Sequence, residues 1–103
     1  MAQKRWGKTP YEFTDESGTT KTVVLHGRVR WCIEELRKAG RTGRTGREAL
    51  GPRWAAYVFT AKRKYGIPIH DTWEPHEGEH PGRHKRWWLG CEIRPIPQQE
   101  AAE

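Results

Sequence analysis

Three groups of residues in this 103-residue chain have types and spacings that point to chemistry. The first is Arg41-Thr42-Gly43-Arg44-Thr45-Gly46-Arg47, in which glycines separate arginines. Such spacing lets guanidinium and backbone approach a phosphate together; a solvated basic loop is the plainer alternative. The second group is Arg53, Tyr57, Thr60, Arg63 and Lys64, expected to share the outer side of one helix. That side mixes charge, hydroxyl and aromatic groups and contains no acid, whereas a face exposed only to water is usually rich in both Glu and Lys. Phosphate nearby demands such a surface. An arginine at the helix start, Arg53, has the geometry to bond O6 and N7 of guanine. The third group lies in a polar hairpin, where Asp71, Glu74, Glu77 and Glu79 precede Arg83, His84, Lys85 and Arg86. The acidic half is expected to turn away from a polyanion and the basic half to reach it; a hairpin neutralised within itself is the equal alternative.

Other chemistry finds little support. His76, His80 and His84 lie four residues apart, but Pro75, Gly78, Pro81 and Gly82 break any helix that would align them. Neither a metal nor another cofactor is expected, and the histidines read as exposed loop residues that gain charge near about pH 6. Ser17 is the single serine and sits in a turn signal, while Glu34 and Glu35 fall on a solvated helix face. A hydrolytic or acid–base enzyme is therefore not expected. Two cysteines, Cys32 and Cys91, are too few for a disulfide framework and suit a reducing compartment.

The positioning elements follow from periodicity. Met1 to Pro10 reads as a flexible basic arm around Trp6. A β-hairpin is expected within residues 11–26, with strands Tyr11–Thr14 and Lys21–Leu25 around the turn Asp15-Glu16-Ser17-Gly18. Val29, Cys32, Ile33 and Leu36 fall at i, i+3, i+4 and i+7, predicting a first helix over Arg28–Ala39 that stops at Gly40. Thr45 and Glu48 match a capping box, which predicts a very short second helix at about Gly46–Leu50. Pro52 suits the first turn of a third helix over Arg53–Tyr65, with Trp54, Val58, Ala61 and Tyr65 inward. A strand Ile67–Glu74, a loop Pro75–Gly82 and a strand Arg83–Gly90 complete the order, with Ile67, Ile69 and Trp73 facing Trp87 and Leu89. Cys91–Arg94 would extend the last strand, and residues 95–103 would form a disordered tail.

Composition agrees with a small intracellular nucleic-acid binder. Hydrophobic residues make up 34%, so the core is expected to be small, with the six Trp compensating in part. No apolar run approaches a membrane span and no signal peptide is visible, so a cytoplasmic, nucleoid-associated protein is expected. The net charge is +6. Between Gly27 and Gly66 there are eleven Lys/Arg against three Glu, whereas the remainder holds slightly more acid than base. The positive field therefore sits on the three-helix unit, where counterion release on meeting phosphate would favour binding.

Over about Gly27–Leu89 the chain resembles the winged helix-turn-helix proteins, in particular small ones of phage and prophage type. The residues that carry this are Arg28-Val29-Arg30-Trp31-Cys32-Ile33-Glu34-Glu35-Leu36, Thr45-Gly46-Arg47-Glu48-Ala49-Leu50 and Lys64-Tyr65-Gly66-Ile67-Pro68-Ile69. The resemblance implies an α+β winged helix-turn-helix over residues 27–94, with three helices and a β-hairpin wing behind the N-terminal hairpin. It implies a DNA-binding role, with the third helix as reader and the wing as auxiliary contact. A transcriptional regulator follows as the expectation, a repressor of phage or mobile-element origin. It would bind double-stranded DNA, with a homodimer supplying enough contact for specificity. The expected DNA contacts are Arg41, Arg44, Thr45, Arg47, Arg53, Tyr57, Thr60, Arg63, Lys64, Arg83, His84, Lys85 and Arg86. The alternatives are a winged helix that docks a transcription or recombination protein, and an architectural or recombination-directionality protein that bends DNA.

Overall fold

A computed structural model of the chain describes residues 6–45, 51, 53–79 and 81–97. In chain order it contains β1 (Thr9–Thr14), β2 (Thr20–Leu25), α1 (Gly27–Ala39), a short 3-10 turn (Gly40–Thr42), β3 (Arg44–Thr45), α2 (Trp54–Arg63), β4 (Ile69–His76), β5 (Gly82–Leu89) and β6 (Ile93–Pro95). The strands form two antiparallel sheets, ordered β2-β1-β6 and β3-β5-β4.

The N-terminal hairpin forms where alternation predicts it, but β1 begins at Thr9, so Thr9 and Pro10 of the expected flexible arm are strand residues paired with Leu25 and Val24. Tyr11 and Phe13 point inward from β1 and Leu25 from β2, and all three are buried. Its turn is held by Asp15, whose carboxylate accepts hydrogen bonds from Ser17 N (3.0 Å), Ser17 Oγ (2.7 Å) and Thr19 N (2.9 Å). These donors hold the Asp15 carboxyl far below its ordinary value, the Ser17 hydroxyl contributing most.

Helix α1 buries Cys32, Ile33 and Leu36 of the expected stripe, with Val29 half-buried at its start. It stops at Gly40, whose φ of 60° a side chain rarely adopts and whose N–H bonds the Leu36 carbonyl. Its polar face is not merely solvated. The Tyr11 hydroxyl donates to Glu34 Oε2 at 2.6 Å, Arg37 Nη1 donates to Glu34 Oε1 at 3.0 Å, and Arg37 Nε reaches the Ile93 carbonyl at 2.8 Å. Glu34 and Arg37 thus fasten α1 to the N-terminal sheet. The Tyr11 hydroxyl is pushed up by burial and by its bond to Glu34.

Helix α2 packs Trp54, Val58 and Ala61 against α1, with Trp31 meeting Trp54 edge-on at 5.5 Å. Both sheets and both helices share one hydrophobic cluster, from Tyr11 and Phe13 to Ile67, Ile69 and Ile93.

Several expectations change. Two α-helices occur among the described residues where three were expected; the short helix at Gly46–Leu50 lies outside them. Within the Arg-Thr-Gly repeat, Arg44-Thr45 forms β3, opposite Trp87 and Arg86 of β5. β4 continues through Pro75 to His76 instead of ending at Glu74. Proline is tolerated there because β4 is an edge strand, whose outer N–H groups need no partner. Ile69 does oppose Leu89, but Trp73 opposes Lys85 further out. Ile93–Pro95 does not extend β5; it pairs with β1, and Ile96 N bonds the Pro10 carbonyl at 2.8 Å. Pro95, expected to begin the tail, is therefore a strand residue.

Candidate nucleic-acid interface

The period-two alternation of β4 and β5 divides the hairpin into two faces with different chemistry. The register opposes Asp71 to Trp87, Trp73 to Lys85 and Pro75 to Arg83 on one face, and Thr72 to Arg86, Glu74 to His84 and His76 to Gly82 on the other. Lys62 of α2 reaches Asp71 at 3.8 Å, so the first face is the one turned toward α2.

That face carries an aromatic framed by cations. Trp73 is 57% exposed, with Lys85 Nζ 4.9 Å and the Arg83 guanidinium 5.6 Å from its rings. Lys85 also lies 3.8 Å from Asp71, whereas Arg83 has no carboxylate partner among the described residues.

The far face is neutralised internally. Glu74 is bonded by Arg86, and the His84 Nε2 lies 3.1 Å from Glu74 Oε1. The His76 and His84 rings stack at 5.1 Å with their Nδ1 atoms 2.9 Å apart. Arg86 and then His84 hold the Glu74 carboxyl below its ordinary value. Arg86 Nη1 also donates to the Thr42 carbonyl at 2.7 Å, tying the hairpin to the turn after α1.

α2 meets this face through Lys62 and exposes further residues of its own. Arg53, Ala55, Phe59, Lys62, Arg63 and Lys64 are exposed. Arg53, Arg63 and Lys64 have no carboxylate partner among the described residues. The Arg63 guanidinium sits 5.2 Å from the ring of Phe59, which is 58% exposed.

The expected contacts are thus brought together only in part. Arg53, Arg63 and Lys64 are exposed at the ends of α2, and Arg83 and Lys85 stand on the wing face turned toward it. Tyr57 is half-buried, meeting Trp31 edge-on at 6.3 Å, because it lies beside the Trp54–Val58–Ala61 stripe and not opposite it. Thr60 spends its hydroxyl on the Ala56 carbonyl at 3.0 Å, a bond back into its own helix. Thr45 is only 6% exposed, so a buried strand position replaces a phosphate clamp. Arg44 pairs with Glu35 at 3.2 Å. Arg41 is exposed but lines a groove with His70 and Trp88, on the far face. His84 and Arg86 belong to the neutralised face, and Arg47 lies outside the described residues. Sequence reasoning passed over Phe59, Lys62 and Trp73. Phe59 was detectable, because it directly follows the inward Val58 and so falls off the apolar stripe.

Among the described residues no cluster of His, Cys, Asp or Glu is arranged to hold a metal ion, and no helix is long and apolar enough to cross a membrane. Comparison with the curated proteins and with the solved structures returns no significant match. A protein-family model described as "Winged helix domain" matches residues 22–99, most of the chain and the whole of the helix–hairpin unit. The chain therefore belongs to the winged helix domain family.

Proposed function

We propose that the chain is a sequence-specific double-stranded DNA-binding protein and a transcriptional regulator. α2 enters the major groove and the α2-facing side of the β4–β5 wing contacts the flanking backbone. The observation that carries this reading is that Arg53, Arg63 and Lys64 at the two ends of α2, and Arg83 on the wing face turned toward α2, are exposed without carboxylate partners among the described residues. Cations held away from acids are available to displace the counterions of a phosphate backbone. Lys62 and Lys85 add to this field but share Asp71. Occupation of a promoter by a homodimer would make the protein a repressor, and the Lys64–Ile69 resemblance favours a phage or mobile-element setting.

Gel-shift titration against fragments from around its own coding region, with excess competitor duplex at two salt concentrations, tests this reading. A discrete competitor-resistant complex supports it. Absence of binding at low salt overturns it and favours a protein-docking role.

One observation favours a second reading. Trp73 stands exposed at the outer part of the wing between Arg83 and Lys85, as an apolar wedge beside phosphate-seeking cations. An architectural protein would use it to part a base step and bend the duplex. Gel mobility that varies with the position of the site within the fragment would identify bending.

A further inference from the structure

The outer side of α2 has an unusual distribution of hydrogen-bonding capacity. Its cations lie toward the ends, Arg53 before the helix and Lys62, Arg63 and Lys64 at its close. The middle presents Ala55, Ala56 and Phe59. Thr60, the neighbouring polar residue, has its hydroxyl engaged by the Ala56 carbonyl at 3.0 Å. Tyr57 leans toward Trp31 and the core. The exposed side chains at the centre of the face, Ala55 and Phe59, therefore carry no donor or acceptor, and Thr60 has given its hydroxyl proton to its own helix.

Base edges in the major groove differ in what they ask of a protein. Guanine, adenine and cytosine present donors and acceptors that need polar partners, and leaving them unpaired in a dry contact is costly. The C5 methyl of thymine is the one apolar feature, and Ala and Phe side chains match it. The two alanines also keep the helix surface low, so that the backbone of α2 can approach the groove floor. Phe59 stands exposed beside them, with the Arg63 guanidinium 5.2 Å from its ring. α2 itself carries no acid, and of the cations that frame this apolar centre only Lys62 meets a carboxylate among the described residues, Asp71 at 3.8 Å, so the patch suits a polyanion with an apolar feature at its base edges.

We propose that Phe59, supported by Ala55 and Ala56, is the specificity-determining contact of this protein and reads thymine C5 methyl groups in the major groove. This inference rests on the reading of α2 as the DNA-contacting helix.

The test begins with selection of preferred duplexes from a random-sequence library by the full chain. Each thymine of the best duplex is then replaced singly by deoxyuridine, which removes the methyl and leaves the Watson–Crick edge unchanged. At one or two positions the replacement is expected to weaken binding about fourfold, the factor that corresponds to one buried methyl-sized group. Phe59→Ala is expected to weaken binding to the thymine duplex by at least as much, and at those positions the two losses should not add. Phe59 is exposed, so the variant's thermal melt should match the parent's, and the deoxyuridine series needs no variant at all.

A selected site that tolerates deoxyuridine at every thymine would overturn the inference while leaving sequence-specific DNA binding intact. Fully additive losses would also overturn it, because Phe59 would then act away from the methyls. A solution dimer that Phe59→Ala dissociates, with an unchanged deoxyuridine pattern, would assign the ring to contact between copies of the chain. A library from which no duplex is retained would overturn both this inference and the function on which it rests.

Discussion

Arg83 and Arg86 lie three residues apart on β5, yet replacing each by Ala is predicted to have opposite consequences. Arg83 stands over Trp73 on the α2 side and has no carboxylate partner among the described residues. Arg86 points to the far face, where Glu74 and the Thr42 carbonyl hold it. Each phosphate neutralised by the protein contributes about 0.9 to the slope of log K against log salt for duplex DNA. Arg83→Ala should therefore reduce that slope by about 0.9. Between about 50 and 200 mM salt, one such contact is worth a factor of about 3.5 in the fall of affinity. The variant should lose correspondingly less affinity over that interval, while its melting temperature stays near the parent's. Arg86→Ala should leave the slope unchanged and lower the melting temperature, because β5 loses its tie to the turn after α1. Fluorescence anisotropy of a labelled duplex at four or more salt concentrations measures the slopes, and a thermal melt of each variant measures stability. Equal slope reductions in both variants would refute the division of the wing into a free and a neutralised face.

Three further outcomes follow from the fold. Gly43→Ala should destabilise the chain by about 1–3 kcal/mol or more, read from urea unfolding: φ 71° and ψ −169° form a region kept for glycine, and an added Cβ would overlap the Trp87 carbonyl oxygen. Leu36→Ala should cost about 2–5 kcal/mol, since Leu36 is fully buried between α1 and its neighbours; that is a large share of a small domain's stability, and the urea midpoint should fall steeply. Burial pushes the Cys32 thiol from its ordinary 9.0 to about 12. The unfolded chain therefore releases this proton before the folded one does, so stability present below about pH 9 should be lost as pH rises toward 12. Native Cys32 should accordingly resist thiol reagents at neutral pH until the chain unfolds.

What could be read from the residues depended on whether the deciding contacts were local. The stripe of Val29, Cys32, Ile33 and Leu36 and the stripe of Trp54, Val58, Ala61 and Tyr65 are set by helical period alone; both turn inward, with Val29 and Tyr65 half-buried at the margin of the core. The N-terminal hairpin was legible from Tyr11 and Phe13 alternating around a turn built by Asp15. β3 and β6 were not, because two- and three-residue strands exist through distant partners: β3 through Trp87 and Arg86, β6 through Tyr11 to Phe13. The wing shows how a charge pattern misleads. Its acids precede its bases in blocks, which suggests an acidic strand opposed to a basic one. Strand period instead sends Asp71 and Glu74 to different faces, so each meets its own cations. Face assignment, and not block charge, frees Arg83 and occupies Arg86. On α2 the same geometry turned Tyr57 inward and left Phe59 outside.

The central claim is that duplex DNA lies against α2 and the α2-facing side of the wing. Backbone amide shifts of the isotope-labelled chain, followed as a selected duplex is titrated to saturation, test it most directly. The account predicts that the largest changes fall on residues 53–64, on Arg83 and Lys85 and on the Trp73 indole, with β1, β2 and β6 little changed. Changes concentrated on the β2-β1-β6 sheet, or none at saturating duplex, would contradict it.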